Sequence, residues 1–252
     1  MTKQWNTSIY KTIITCFNVF LVIIFIWMIT ILATKSLNFY LFEFIKNDTA
    51  HETGYSMDEL RQIAKHIIDY LFYRVETLQI NIGGQDVFSN QALYHMADVR
   101  SLYTGGSTIG WIILGIEVIL LVILITHYRY LKEYLLKVSL STLGIFFAVL
   151  IGIALVALID FDKTFEIFHH IIFPDPVKFR DAFFGPVSNY PEAPGINNLM
   201  LVTILSEGLF MDVGLLIIGG TVSGLLLWII TILVVRIIDF KRNRGKLHVK
   251  NS

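Results

Sequence analysis

The sequence predicts an α-helical integral membrane protein with four transmembrane helices and an extracellular α+β cap built from two loops. Hydrophobic residues make up 55% of the 252-residue chain and charged residues only 16%, whereas an average soluble domain carries about 25% charged residues. The formal net charge of zero excludes a nucleic-acid binder built on a basic field. The single cysteine, Cys16, excludes a disulfide framework and a thiolate metal site.

Four nearly uncharged apolar runs are long enough to cross a bilayer, at about 13–33, 109–126, 139–159 and 213–238. The first run is too long for a signal peptide, and no small-residue cleavage site follows it. In chain order, we expect a tail and first span (1–34), a first outer loop (35–108), a second span (109–128), an inner connection and third span (129–159), a second outer loop (160–212), and a fourth span with a basic tail (213–252).

The charges divide unequally between the two predicted sides of the membrane. The side with both termini and the 127–138 connection carries eleven basic and two acidic residues, whereas the loops 34–108 and 160–212 carry nine basic and seventeen acidic residues. Because basic residues favour the cytoplasmic side, we expect a multi-pass protein of the cell membrane with cytoplasmic termini. Both long loops are then extracellular.

The first outer loop begins with a helix signature. Ser56 and Glu59 form a capping box, in which each side chain satisfies the backbone N–H of the other residue. The apolar residues behind it repeat at helical spacing: Leu60, Ile63, Ala64, Ile67, Ile68 and Leu71. This pattern predicts an amphipathic helix of about five turns.

The rest of this loop predicts a hairpin and a second helix. Leu78, Ile80 and Ile82 alternate, and the Gly83-Gly84 pair that follows supplies the positive φ angles of a tight turn before Val87-Phe88. The second helix is expected from Ser89 to about Tyr103, ended by Gly105-Gly106. Because a small hairpin and short helices are marginal alone, we expect them to pack into a compact cap.

The second outer loop contains all five prolines of the chain. It is expected to open with a helix from Lys163 to Ile172, with Asp162 as its N-cap and Pro174 as its stop. A proline-rich stretch then leads to a last amphipathic turn or two between Asn197 and Phe210.

Histidines are the residues most able to carry chemistry, since the sequence contains no GxSxG, HExxH, P-loop or CxxC motif. Five of the seven histidines lie in the outer loops. Asp98 follows His95 by three residues, close enough on a helix to fix its tautomer. Glu166 can reach either His169 or His170, which sit among aromatic residues. Each arrangement also fits an ordinary surface histidine with an acidic neighbour.

Two features of the predicted spans have both a structural and a functional interpretation. Glu117 is an ionisable group within the second span, which by default indicates a functional site; a helix–helix hydrogen bond would also explain it. The Gly220-xxx-Gly224 pair in the fourth span allows close helix packing, either within the chain or between copies.

With these features, the chain resembles the lipoprotein intramolecular transacylase family of Gram-positive bacteria. The resemblance rests on His95-Met96-x-Asp98-Val99 at the end of the first outer loop and on Phe168-His169-x-Ile171-Ile172-Phe173 after the third span. It extends from Tyr55 through Asp212 and includes the segments 55–60 and 207–212.

The resemblance implies an acyl transfer within one substrate. The sn-2 acyl chain of a diacylated lipoprotein would move from glycerol to the α-amino group of the N-terminal cysteine, giving the lyso-form. It places the two catalytic histidines at His95 and His169, and it implies no metal, cofactor or nucleic acid; the partners are the lipoprotein and membrane lipid. Supporting or substrate-binding roles are expected for Asp98, Arg100, Tyr94, Glu166, His170, Phe173 and Glu117.

Two other classes stay open from the residues alone. A non-enzymatic membrane protein could use the cap to bind a lipid or protein partner, and its histidines would then be dispensable. A metal or haem site could use His95, His169 and His170, although haem-binding histidines normally face each other within spans.

Overall fold

The computed structural model describes residues 6–172 and 200–250, except for the side chains of residues 162, 166, 168–170, 172 and 243–250. Its elements follow in chain order: α1 (Thr7–Lys35), α2 (Leu37–Lys46), α3 (Thr49–Thr53), α4 (Met57–Leu71), β1 (Asn81–Ile82), β2 (Gln85–Asp86), α5 (Asn90–Thr126), α6 (Tyr128–Ile159), α7 (Phe161–Ile172), α8 (Met200–Ile204) and α9 (Glu207–Lys250). The five prolines all lie outside the described residues.

The four predicted spans are confirmed. Among the described residues, four helices are long and apolar enough to cross a membrane: Thr7–Lys35, Asn90–Thr126, Tyr128–Ile159 and Glu207–Arg242. Each helix is longer than its predicted apolar run, because polar turns at its ends continue the backbone hydrogen bonding. The 127–138 connection is therefore almost entirely helical, since α6 begins at Tyr128.

The predicted helix end at Gly105-Gly106 is wrong. Helix α5 continues through both glycines, and a Cβ added at either one would meet no atom within 4 Å. The Thr104 and Thr108 hydroxyls each donate to the backbone carbonyl four residues before them, at 2.9 and 3.0 Å. Glycine lowers helix propensity by about 1 kcal/mol, and one pair does not end a helix that continues for five turns beyond it as a membrane span.

The chain forms two compact units. The bundle unit consists of Met1–Ile29, Ile109–Leu155 and Ile217–Ser252, and the cap unit consists of Thr30–Thr108 and Val156–Leu216. The cap unit thus contains the described parts of both predicted outer loops, including helices α2, α3, α4 and the β-hairpin.

The cap unit is organised around α4, whose predicted amphipathic pattern is confirmed. Both halves of the capping box are present at Ser56 and Glu59, and all six predicted apolar residues are buried. They share one core with buried aromatic and aliphatic residues from the other cap elements: Phe44, Leu78, Phe88, Met96, Ile204 and Leu209.

Charged side chains pair at the C-terminal end of α4. Lys65 donates to Asp69 at 2.9 Å and Arg74 donates to the same carboxylate at 3.0 Å. The hydrogen bond from Lys65 is the largest of several interactions that lower the pKa of Asp69, with Arg74 adding to it. The carboxylate is only 14% exposed, so these pairs are partly shielded from water.

The predicted hairpin is confirmed but short. Ile82 pairs with Gln85 and Asn81 with Asp86, and Val87 donates to the carbonyl of Ile80 at 3.0 Å. Gly83 and Gly84 have φ angles of 62° and 88°, as a two-residue turn of this kind requires.

The elements of the second loop differ from the prediction at their ends. Helix α7 begins at Phe161, and Asp160 rather than Asp162 caps it, since Lys163 N–H donates to Asp160 Oδ1 at 2.9 Å. The predicted last turns correspond to α8 and to the start of α9 at Glu207.

Hydrogen bonds join three helices of the bundle unit. The buried Asn18 side chain donates to Ser139 Oγ at 3.0 Å and accepts from Trp228 Nε1 at 3.0 Å. Gly220 and Gly224 face Ile29 and Phe25 of α1, where an added Cβ would overlap those side chains. The GxxxG pair is therefore used for packing within the chain.

Candidate active site

His95 lies in the second turn of α5, where the sequence fixes both the helix start and its buried face. The Ser89 side chain accepts a hydrogen bond from Ala92 N–H at 3.2 Å, as an N-cap does. Met96 is 2% exposed and anchors this turn in the cap core. His95 itself is half-buried, and Asp98 is 7% exposed three residues further along the helix.

Arg100 makes contacts that sequence reasoning did not anticipate. Its Nη1 and Nη2 donate to the carbonyls of Glu76 and Val75, both at 3.0 Å. Its guanidinium also lies over the rings of Tyr73, at 3.6 Å, and Tyr70, at 4.4 Å. These contacts fasten the segment between α4 and the hairpin to the helix that carries His95.

The other predicted catalytic histidine, His169, lies near the C-terminal end of α7. The structure describes the backbone of this helix. The side chains of His169, His170 and Glu166 lie outside the described residues, as does the whole of Phe173. Helix α7 is anchored in the cap unit through Phe165, whose ring packs on Phe210 of α9 with 5.2 Å between ring centroids.

Glu117, also on α5, belongs to the bundle unit rather than the cap unit. Its side chain is 6% exposed, and neither carboxyl oxygen has a hydrogen-bond partner among the described residues. Tyr94 is half-buried beside His95. The structure thus places Tyr94, His95, Asp98 and Arg100 together at the start of α5, and it places Glu117 in the other unit.

Sequence reasoning missed a second polar cluster in the cap unit, because the segment 37–46 was not predicted as a helix. In the structure this segment is α2, whose Glu43 is 1% exposed. Lys46 bridges Glu43 and Asp212 by ion pairs. The available signal was a lone carboxylate between Phe42 and Phe44 in an otherwise apolar stretch, which is unusual unless the charge has a partner.

A multi-pass membrane protein whose cap unit presents a half-buried histidine three residues from a buried carboxylate has the parts for acid–base chemistry. Residues 13–177 match the family model described as lipoprotein intramolecular transacylase Lit. The chain belongs to the lipoprotein intramolecular transacylase family, and it is accordingly an acyltransferase that acts on lipoproteins.

Solved structures with the same fold include the membrane-integral lipoprotein intramolecular transacylase Lit from Bacillus cereus. One such structure covers 95% of this chain and 100% of its own, with a TM-score of 0.68 and 16% sequence identity. Two others, each with one histidine substituted, give TM-scores of 0.67 and 0.66 at 16% identity. They cover 92% and 94% of this chain and 95% and 96% of their own chains. A search of curated protein sequences finds no match.

Proposed function

We propose that this transacylase moves the sn-2 acyl chain of a diacylated lipoprotein from glycerol to the α-amino group of the same N-terminal cysteine. The product is an N-acyl, S-monoacylglyceryl lyso-form. In this proposal His95 and His169 carry the proton transfers. The observation that supports it most is the family match, which spans both histidine motifs.

Histidine suits both proton transfers of this reaction. An α-ammonium group has a pKa of about 7.7–8.0 and imidazole one of about 6.5, so imidazole can take the amine proton as the amine attacks the ester carbonyl. The imidazolium formed can then protonate the departing glycerol oxygen. Asp98, buried on the same helix as His95, would orient one ring, and Glu166 would orient the other.

The tetrahedral intermediate needs hydrogen-bond donors for its oxyanion, and one preorganised donor contributes about 3–4 kcal/mol. Tyr94 lies next to His95 and is a candidate for this role. Both Nη atoms of Arg100 donate to backbone carbonyls, which favours a role for Arg100 in holding the site rather than in binding the oxyanion.

The intramolecular nature of the reaction lowers its demands on the enzyme. The amine and the ester belong to one molecule, so the protein mainly has to fold the substrate head into a reactive geometry. The acyl chains would stay in the outer leaflet while the head enters the cap unit. This scheme requires no metal and no external acyl donor.

Mature bacterial lipoproteins lie outside the cell, so the proposal requires the cap unit to be extracellular and both termini cytoplasmic. The charge asymmetry of the chain supports this orientation. A cysteine introduced at Gln85, in the exposed hairpin, should react with an impermeant thiol reagent on intact spheroplasts, whereas one at Arg244 should not. The reverse labelling pattern would contradict the proposed reaction site.

The decisive experiment is mass spectrometry of a lipoprotein N-terminal peptide from cells with and without the protein. We expect His95→Ala and His169→Ala each to abolish the lyso-form while leaving expression and membrane insertion unchanged, and His170→Ala to have a smaller effect. His66→Ala is the matched control. Within the described residues, the His66 side chain makes one hydrogen bond, to the carbonyl of Thr77 at 3.1 Å. Near-normal conversion by either catalytic variant would refute the assignment of the two histidines.

A further inference from the structure

The cluster of charged side chains between α2 and α9 is built by close packing. Gly208, in the first turn of α9, lies against Asn47, and a Cβ at this position would overlap the Asn47 amide. Asn47 in turn donates to Glu43 Oε2 at 3.1 Å and to the carbonyl of Glu43 at 2.9 Å. This packing fixes the Glu43 side chain and brings the first turns of α9, with Asp212, beside it.

Within the described part of the chain, the cluster holds one basic side chain for two carboxyl groups. Lys46 Nζ donates to Asp212 and lies 3.9 Å from Glu43 Oε2, so one lysine faces two carboxyl groups. Glu43 is 1% exposed, and its Oε1 receives no hydrogen bond from any donor among the described residues. Burial and the neighbouring Asp212 both raise the pKa of Glu43, because each disfavours the charged form of the carboxyl group.

A cavity of about 340 Å³ opens onto this carboxyl pair, in the size range of small-molecule sites. Besides Glu43 and Asp212, the described residues that line it are apolar: Phe39, Phe42, Leu215 and Leu216. Phe42 and Leu215 are 61% and 54% exposed. Hydrocarbon walls around two carboxyl groups are complementary to a molecule that carries an ammonium group next to acyl chains.

We propose that Glu43 and Asp212 together bind the α-ammonium group of the substrate lipoprotein, whose S-linked acyl chains lie along the apolar walls of the cavity. This inference rests on the proposed function and adds the residues that recognise the free amino terminus. The ammonium group supplies a second positive charge beside the two carboxyl groups, in addition to Lys46. Phe44 of α2 and Met96, next to His95, belong to the same core, so the binding residues and His95 are held by one packed unit.

The inference is tested by binding of two synthetic lipopeptides to the purified full-length protein in nanodiscs. One begins with S-diacylglyceryl cysteine, and the other is its desamino analogue, in which hydrogen replaces the α-amino group. The measurements are made in a His95→Ala background, and mass spectrometry checks that the peptides remain unconverted. We expect the free-amine peptide to bind at least about tenfold more tightly than the desamino peptide.

Glu43→Gln preserves the shape of the side chain and removes its charge, so it should reduce this preference to less than about threefold. Asp212→Asn should also reduce the preference for the free-amine peptide to less than about threefold. It tests the inference independently if Glu43→Gln fails to fold. Glu52→Gln is the matched control, because Glu52 is an exposed glutamate on the neighbouring α3, and it should leave the preference unchanged.

The inference is overturned if the parent protein binds both peptides equally, or if Glu43→Gln and Asp212→Asn keep the full preference. Failure of the proposed function is distinguishable from these results. In that case the protein with both histidines intact would not convert the free-amine peptide to the lyso-form, whatever the binding preference.

Discussion

Replacing Arg100 with alanine separates a structural role from a catalytic one. The guanidinium makes two charge-assisted hydrogen bonds at 3.0 Å to the carbonyls of Val75 and Glu76, each of a kind that contributes about 1.5 kcal/mol or more. Its contacts with the rings of Tyr70 and Tyr73 add about 0.5–1 kcal/mol each at partly exposed positions. These contributions share one geometry and are not additive, so we expect a loss of about 2–3 kcal/mol in local stability.

The loss should be concentrated in the segment that Arg100 holds. Tyr73 has a φ angle of 57°, a left-handed conformation that costs a non-glycine residue about 1–2 kcal/mol, and the Arg100 guanidinium at 3.6 Å covers its ring. Without that contact, the strained residue should relax and open the turn after α4. The amide of Arg74, which donates to the carbonyl of Asp69 at 2.8 Å, reports this opening directly.

Hydrogen exchange of the full-length protein in detergent measures the effect. A loss of 2–3 kcal/mol corresponds to a rise of about 30- to 150-fold in the exchange rate of the Arg74 amide. Arg61→Ala, on the exposed face of α4, is the control and should leave that rate unchanged. If Arg100→Ala leaves exchange unchanged but lowers turnover by about 100-fold or more, Arg100 is an oxyanion donor and the structural argument is refuted.

Three further predictions concern packing, pH and the buried carboxyl of the bundle unit. Gly224→Ala should destabilise the protein by about 1–3 kcal/mol, because its Cβ would lie 2.6–2.8 Å from atoms of the Phe25 ring. Gly219→Ala, which meets nothing within 4 Å, should be neutral or stabilising in the same thermal denaturation assay, and equal losses would contradict the packing argument. The pKa of Asp69 is lower in the folded state than in the unfolded state. Its contribution to stability is therefore complete above the unfolded-state pKa of about 3.9, and it is lost as the pH falls through the lower folded-state pKa. Asp69→Asn should therefore reduce the free energy of unfolding at pH 7 and make that free energy fall less steeply as the pH is lowered in this acid range. If the free energy of unfolding depends on pH as steeply as in the parent protein, Asp69 is not the group responsible. Glu117→Gln should leave stability and turnover unchanged, since neither carboxyl oxygen has a hydrogen-bond partner among the described residues, and a several-fold drop in turnover at unchanged stability would instead place Glu117 in the reaction.

The features that the sequence predicted correctly all depend on local patterns. The four apolar runs, the capping box at Ser56 and Glu59, and the Gly83-Gly84 turn each occupy a short stretch whose physical signal is complete in itself. The wrong predictions concern the ends of helices. Gly105-Gly106 did not end α5, because the helix-propensity cost of one glycine pair is small against a span that continues beyond it. Asp160 rather than Asp162 capped α7, because two aspartates two residues apart offer nearly equivalent capping signals.

The acidic cluster could not have been predicted in this way, because its members come from distant parts of the chain. Lys46 and Asp212 are separated by 166 residues, and tertiary packing, including that of Gly208 on Asn47, brings their helices together. Viewed alone, Glu43 is a charge in an apolar helix and Asp212 is an acidic residue at the start of a span. Only the folded cap unit shows that the two carboxyl groups face one lysine and an open apolar cavity. The motifs that carry the family resemblance therefore indicated the histidines proposed for proton transfer, whereas the residues proposed to bind the amine became visible only through tertiary contacts.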